Sequence, residues 1–170
     1  MFSLYSYLMI FWLGLQLHNI SSIGCNTRAH IFAQKITTAL RQRFKNTEKV
    51  FEWPKKHFVF GNLRFKTKHA EQHSGIVQWV YHVAPIVKLW DLKHDYYDLF
   101  ILDPGVWTIP ILRDDWLKLI AENPSKDISG YVTCEPEAYS QSSTYCFDPI
   151  DELADIEEMA EQDNEMYLAM

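Results

Sequence analysis

The sequence predicts an α+β domain in which an N-terminal helix packs on an antiparallel β-sheet and an acidic helix closes the chain. Three observations predict it. Apolar residues recur at helical spacing between Ala29 and Phe44, β-prone runs joined by short polar turns fill residues 50–102, and Asp148-Pro149 opens a second helical pattern rich in acids. With 170 residues, 48% hydrophobic and 15% aromatic, the chain can bury one substantial core but hardly two. The expected organisation is an apolar segment over residues 1–23, one catalytic-sized domain over 24–147, and an acidic tail over 148–170.

The first element, Leu4 to Leu17 (LYSYLMIFWLGLQL), is apolar and uncharged. It has the length of a signal-peptide core and is short for a membrane span, so stable insertion is not expected. No Lys or Arg precedes it and no small-x-small site cleanly follows, which leaves a buried N-terminal helix as the alternative. Next, Ala29, Ile31, Phe32, Ile36, Ala39, Leu40 and Phe44 mark one face of a helix that Asn26 or Thr27 can cap. Cys25 therefore falls at or just before a helix N-terminus, where unpaired N–H groups and the helix dipole favour a thiolate. Ser22-Ile23-Gly24-Cys25 also loosely resembles a lipoprotein cleavage box, and in that alternative Cys25 is lipidated on a non-catalytic binding module.

Val50 to Trp53 and His57 to Phe65 read as strands separated by turns at Pro54-Lys55-Lys56 and Gly61-Asn62. After a polar loop comes Ile76 to Trp90 (IVQWVYHVAPIVKLW), dense in β-branched and aromatic residues, and then Tyr96 to Leu102, which stops at Asp103-Pro104-Gly105. The two runs form an antiparallel hairpin. If Trp90 pairs with Asp95, His82 faces Asp103 directly, and opposed residues share a face with Cβ atoms about 4.5–5.5 Å apart. Farther on, Leu112, Trp116, Leu117 and Ile120 mark a short helix for which Asp114 is the expected cap, and residues 124–146 read as loop with edge strands.

Charge is unevenly spread. Residues 1–126 hold 16 basic and 10 acidic side chains, a net +6, and the remaining 12 acids all follow Lys126. The basic residues are scattered among Trp and Phe rather than aligned in a stripe, so no nucleic-acid partner is expected. Of three cysteines, Cys134 and Cys146 lie close together in a polar stretch, which suggests one disulfide and one free thiol at Cys25; two unrelated reduced cysteines are the alternative. A bridge would suit an oxidising compartment. His57, His69 and His73 have no acids or cysteines at metal spacing, so no metal site is expected.

Hydrolysis of an unactivated amide needs a nucleophile stronger than water, a proton carrier and donors for the developing oxyanion. Cys25 as nucleophile, His82 as base and Asp103 as the group that orients the histidine meet the first two needs, and the Cys25 N–H and the Trp79 indole are candidate oxyanion donors. Trp79, near His82 on a strand, is also the candidate for lining a substrate cleft. Arg28, His30, Tyr81, Trp107 and Trp116 read as structural. Spacing alone does not single this triple out, because seven histidines and many acids offer others.

The segments GCNTRAH (24–30), VFEW (50–53), VQWVYHVAPIV (77–87), FILDPGVW (100–107) and IPILRDDWL (109–117) resemble, in order and spacing, the motifs of the protein glutaminases, bacterial protein-glutamine deamidases. The resemblance covers residues 24–118. It implies a catalytic triad of Cys25, His82 and Asp103 on a core related to papain-like proteases and transglutaminases. It also implies conversion of Gln to Glu in a protein substrate through a Cys thioester, with release of ammonia and without metal or organic cofactor. A monomer, secreted or delivered to a host cell, is expected. Transglutaminase-type acyl transfer is the alternative within the same chemistry.

Overall fold

The computed structural model describes Ala29, Ala33 and residues 51–66, 75–91 and 95–147. Five strands form one antiparallel sheet: β1 (Phe51–Lys66), β2 (Ile76–Asp91), β3 (Tyr96–Ile101), β4 (Ile111–Leu112) and β5 (Ile128–Cys134), in spatial order β4-β3-β2-β1-β5. Two short helices, α1 (Arg113–Ile120) and α2 (Pro124–Asp127), lie between β4 and β5.

The two runs expected over residues 50–65 are one strand. The turn signals at Pro54 and Gly61 instead mark register shifts, between Glu52 and Lys55 and between Phe60 and Leu63. A bulge takes up a residue without reversing the chain and tolerates a proline that cannot donate to the ladder. Gly61 has φ 150°, and a Cβ there would collide with the Asp127 carbonyl where β5 begins, so that position demands glycine.

The β2–β3 hairpin forms with a different register from the one expected. Trp90 pairs with Tyr97 and Asp91 with Tyr96, a shift of two residues. Side chains alternate with period two, so this shift keeps every residue on its face, whereas a shift of one would have turned Asp103 away from His82. The ladder stops for a chemical reason. The Leu102 N–H donates to the Pro85 carbonyl at 2.9 Å, but Pro85 has no N–H to return. The chain then leaves the sheet in a turn in which Val106 and Trp107 donate N–H groups to the Asp103 carbonyl at 3.2 and 2.8 Å.

Both faces of the sheet are covered. On one, Trp116, Ile120 and Ala121 at the end of α1 pack against Val59, Leu63, Phe65, Ala84, Ile86 and Ile101; burying each large side chain contributes about 1.5–3 kcal/mol. On the other, Phe58, Val83, Cys134 and Ala138 enclose Ala29. Ala29 and Ala33 are helical and buried, four residues apart as one helix face requires. The rest of that expected helix, Cys25 before it and the acidic helix over 148–170 lie outside the described residues.

Asp114 is not the cap of α1. Leu112 occupies that position, and Asp114 and Asp115 fall in the first turn, where their charge complements the helix dipole. Residues 124–146, expected as loop with edge strands, contain the edge strand β5 and also α2, which Pro124 opens at its first turn. Cys134 and Cys146 form a disulfide that closes the excursion after β5, and Tyr139 and Phe147 pair across its neck.

Candidate functional site

The centre of the site is a buried histidine–carboxylate pair. His82 lies on β2 opposite Val59 of β1, and Asp103 follows the end of β3, diagonal to His82 across the hairpin. They are 1% and 4% exposed, and His82 Nε2 lies 2.7 Å from Asp103 Oδ2. Strand pairing sets the separation of the two backbones, and the turn that holds the Asp103 carbonyl sets the direction of its side chain. A carboxylate oxygen only accepts, so the His82 Nε2–H donates to it.

Trp116, fully buried on α1, completes the pair: its indole Nε1–H donates to the same Asp103 Oδ2 at 3.0 Å. The His82 imidazole is boxed by aromatic rings, with centroids of Phe65, Trp79 and Trp116 at 4.9, 5.2 and 5.6 Å. Trp79, the expected cleft residue, is half-buried with its ring edge-on to Phe65 and tilted against His82. Of the expected site residues the structure thus brings together His82, Asp103 and Trp79, while Cys25 lies outside the described residues. Sequence reasoning placed Trp116 in the core, where it is, and missed the hydrogen bond it makes. The available signal was its position one helical turn past IPIL, on the segment that returns from Asp103 to the sheet.

A second buried histidine also packs against the Trp116 ring. His57, 1% exposed and opposite Ala84 of β2, has its centroid 6.2 Å from Trp116 and 5.4 Å from Tyr131, with Nδ1 2.8 Å from the Thr133 hydroxyl. It meets a cleft of about 270 Å³ bordered by Tyr97, Tyr131, Arg113 and Lys88. Burial, and then the Arg113 charge, lower its pKa to about 4. On the opposite face Lys56, fully buried, sets its ammonium 3.6 Å from the centre of the Tyr139 ring, and burial lowers its pKa to about 7 against the opposing pull of Glu137. Among the described residues, no group of three His, Cys, Asp or Glu side chains could hold a metal ion, and no helix is long and apolar enough to cross a membrane.

The fold is an antiparallel sheet that buries a histidine against a carboxylate. The family model described as glutaminase matches residues 18–120, more than half of the chain, and the chain belongs to this family, the protein glutaminases. Comparison with curated proteins finds no match. Among solved structures, the chain is similar to the NMR structure of protein-glutaminase from Chryseobacterium proteolyticum, at 18% identity and TM-score 0.61, over 89% of this chain and 82% of that one. It is also similar to a crystal structure of protein-glutaminase, at 21% identity and TM-score 0.64, over 94% of this chain and 86% of that one. A crystal structure of pro-protein-glutaminase aligns equally well over 94% of this chain but only 57% of its own length. At these identities the structural likeness concerns the fold.

Proposed function

We propose that the chain is a protein-glutamine deamidase acting through Cys25, His82 and Asp103. The observation that carries the reading is the 2.7 Å bond between buried His82 and Asp103 in a chain of the glutaminase family. With Nε2 held by Asp103, His82 exchanges protons through Nδ1. The Cys25 thiol gives its proton to His82 as sulfur attacks the glutamine side-chain carbonyl, and the collapsing tetrahedral intermediate expels ammonia, which leaves with that proton. Water, deprotonated by the same imidazole, cleaves the thioester to give Glu and restores the thiol. Asp103 stabilises the imidazolium in each half, and Trp79 lines the cleft that admits the glutamine side chain.

The catalytic unit is residues 24–147, and the enzyme works in an oxidising compartment, secreted or delivered to a host cell, for which the Cys134–Cys146 disulfide is the supporting feature. The test is ammonia release from a glutamine-rich protein by the wild type and by Cys25→Ala. Release by the wild type alone supports the reading. Equal release by both, or none by either across a panel of glutamine-rich proteins, overturns it. Adding a primary amine distinguishes hydrolysis from transfer, because incorporation of the amine would mark a transglutaminase.

A further inference from the structure

We propose that Trp116 is a positioning residue for the His82–Asp103 pair and acts through Asp103; the proposal rests on the reading of that pair as base and orienting acid. Three observations carry it. The indole N–H and the imidazole N–H converge on one carboxylate oxygen, Oδ2, at 3.0 and 2.7 Å. All three side chains are buried, so each hydrogen bond to the carboxylate acts in a medium of low polarity, where it is strongest. The Trp116 ring also lies 5.6 Å from the His82 ring, so one side chain holds both the carboxylate and the imidazole that the carboxylate orients.

The consequence is electrostatic as well as geometric. A hydrogen bond to the charged form of a carboxylate favours that form. The indole therefore keeps Asp103 anionic with Oδ2 directed at Nε2, and the anion in turn stabilises the His82 imidazolium. Removing the donor while keeping the ring shape releases Oδ2 from its alignment with Nε2, and the poorer ion pair lowers the pH at which His82 titrates.

The experiment replaces Trp116 with Phe and, as an isosteric second variant that keeps the bicyclic packing, with 3-benzothienylalanine, in which sulfur stands where the N–H was. For wild type and variants, the His82 titration is followed by NMR of the full chain, and ammonia release from a glutamine-rich protein is followed against pH. The expected result is a His82 titration moved to lower pH in either variant, a histidine-linked limb of the rate profile moved the same way, and kcat lowered roughly ten- to hundredfold with little change in KM, the range for a lost hydrogen bond to a charged group. In an Asp103→Asn background the same substitution should then cost almost nothing further, because its route of action is gone. An unmoved His82 titration, or an undiminished effect in the Asp103→Asn background, overturns the proposal and leaves Trp116 as packing. Absence of ammonia from the wild type would sink the deamidase reading, while the titration would still decide the role of Trp116.

Discussion

His82 and His57 are the same residue type, equally buried, two positions apart along one face of the sheet and packed against the same indole ring. Among the described residues, only His82 has an acid. His82 meets the Asp103 carboxylate, and His57 meets the Thr133 hydroxyl with the Arg113 charge nearby. Burial favours the neutral imidazole, and at His57 the Arg113 charge acts the same way, so the ring is held neutral down to about pH 4. If His82 is the base proposed above, it needs an anion to hold its charged form, and the residue that follows β3 supplies one. What separates the two histidines is the Asp103 carboxylate, which follows the point where Pro85 ends the ladder.

The largest expected effect comes from making the first region like the second. Asp103→Asn gives His82 a neutral partner, and the carboxamide can present its N–H to Nε2 and favour the wrong tautomer. Ammonia release should fall roughly 10³–10⁴-fold, as loss of the orienting acid does in such triads, while circular dichroism and thermal unfolding stay close to wild type. A folded Asp103→Asn protein with unchanged turnover would remove the functional distinction between the two histidines.

The fold was legible where local chemistry and global architecture agree. The β-branched and aromatic run around His82 and the short polar break before Tyr96 announced the hairpin. His82 and Asp103 came out on one face despite a register error of two residues, because parity survives that error. Pro54 and Gly61 misled for the converse reason: both are turn residues by composition, and only pairing with β2, and at Gly61 with β5 as well, turns them into bulges within one strand. Cysteine arithmetic offers the Cys134–Cys146 bridge beside two unrelated thiols, and the structure forms the bridge. The Trp116 bond to Asp103 did not, since it depends on how α1 lies across the sheet, which a helical period cannot reveal. The environment of His57 has no signature in the sequence, because its hydroxyl partner stands 76 residues away on β5.

The disulfide belongs to the His57 side of the comparison, since Cys134 adjoins Thr133 and Cys146 Sγ lies 3.6 Å from the Thr133 carbonyl. Replacing both cysteines with serine removes a cross-link between residues twelve apart, worth roughly 3 kcal/mol. Urea unfolding should register that loss. Ammonia release measured well below the unfolding transition should change less than twofold, because the His82–Asp103 side has no part in the bridge; a loss of activity as large as that of Asp103→Asn would show that the two regions are coupled.

Acid separates the histidines next. The folded pKa of His57 lies below the unfolded value, so the unfolded chain binds the extra proton between about pH 6.5 and pH 4, and stability falls as the pH drops through that window and levels off below it. The full loss is on the order of 3 kcal/mol. In His57→Phe, which retains a ring between Trp116 and Tyr131 and leaves Thr133 to solvent, the difference in urea unfolding free energy between pH 7 and pH 4 should shrink by about that amount. An unaltered difference would mean that His57 is already charged in the fold and that burial does not set its state.

The smallest effect tests the same rule on the other face of the sheet. Lys56 is buried with its ammonium over the Tyr139 ring and no hydrogen bond at Nζ among the described residues, so the ring contact and the Glu137 charge are what offset its burial. Its folded pKa of about 7 lies below the unfolded value, so the stability it contributes as a neutral amine is lost as the pH falls from about 10.5 through 7. Lys56→Met keeps the length of the chain and removes the charge. It should raise stability at pH 6 by about 1–3 kcal/mol, the cost of an unsatisfied buried polar group, and the gain should narrow by pH 9 as the amine of the wild type stays neutral. A destabilised Lys56→Met at pH 6 would show that the ring contact and the Glu137 charge together outweigh burial.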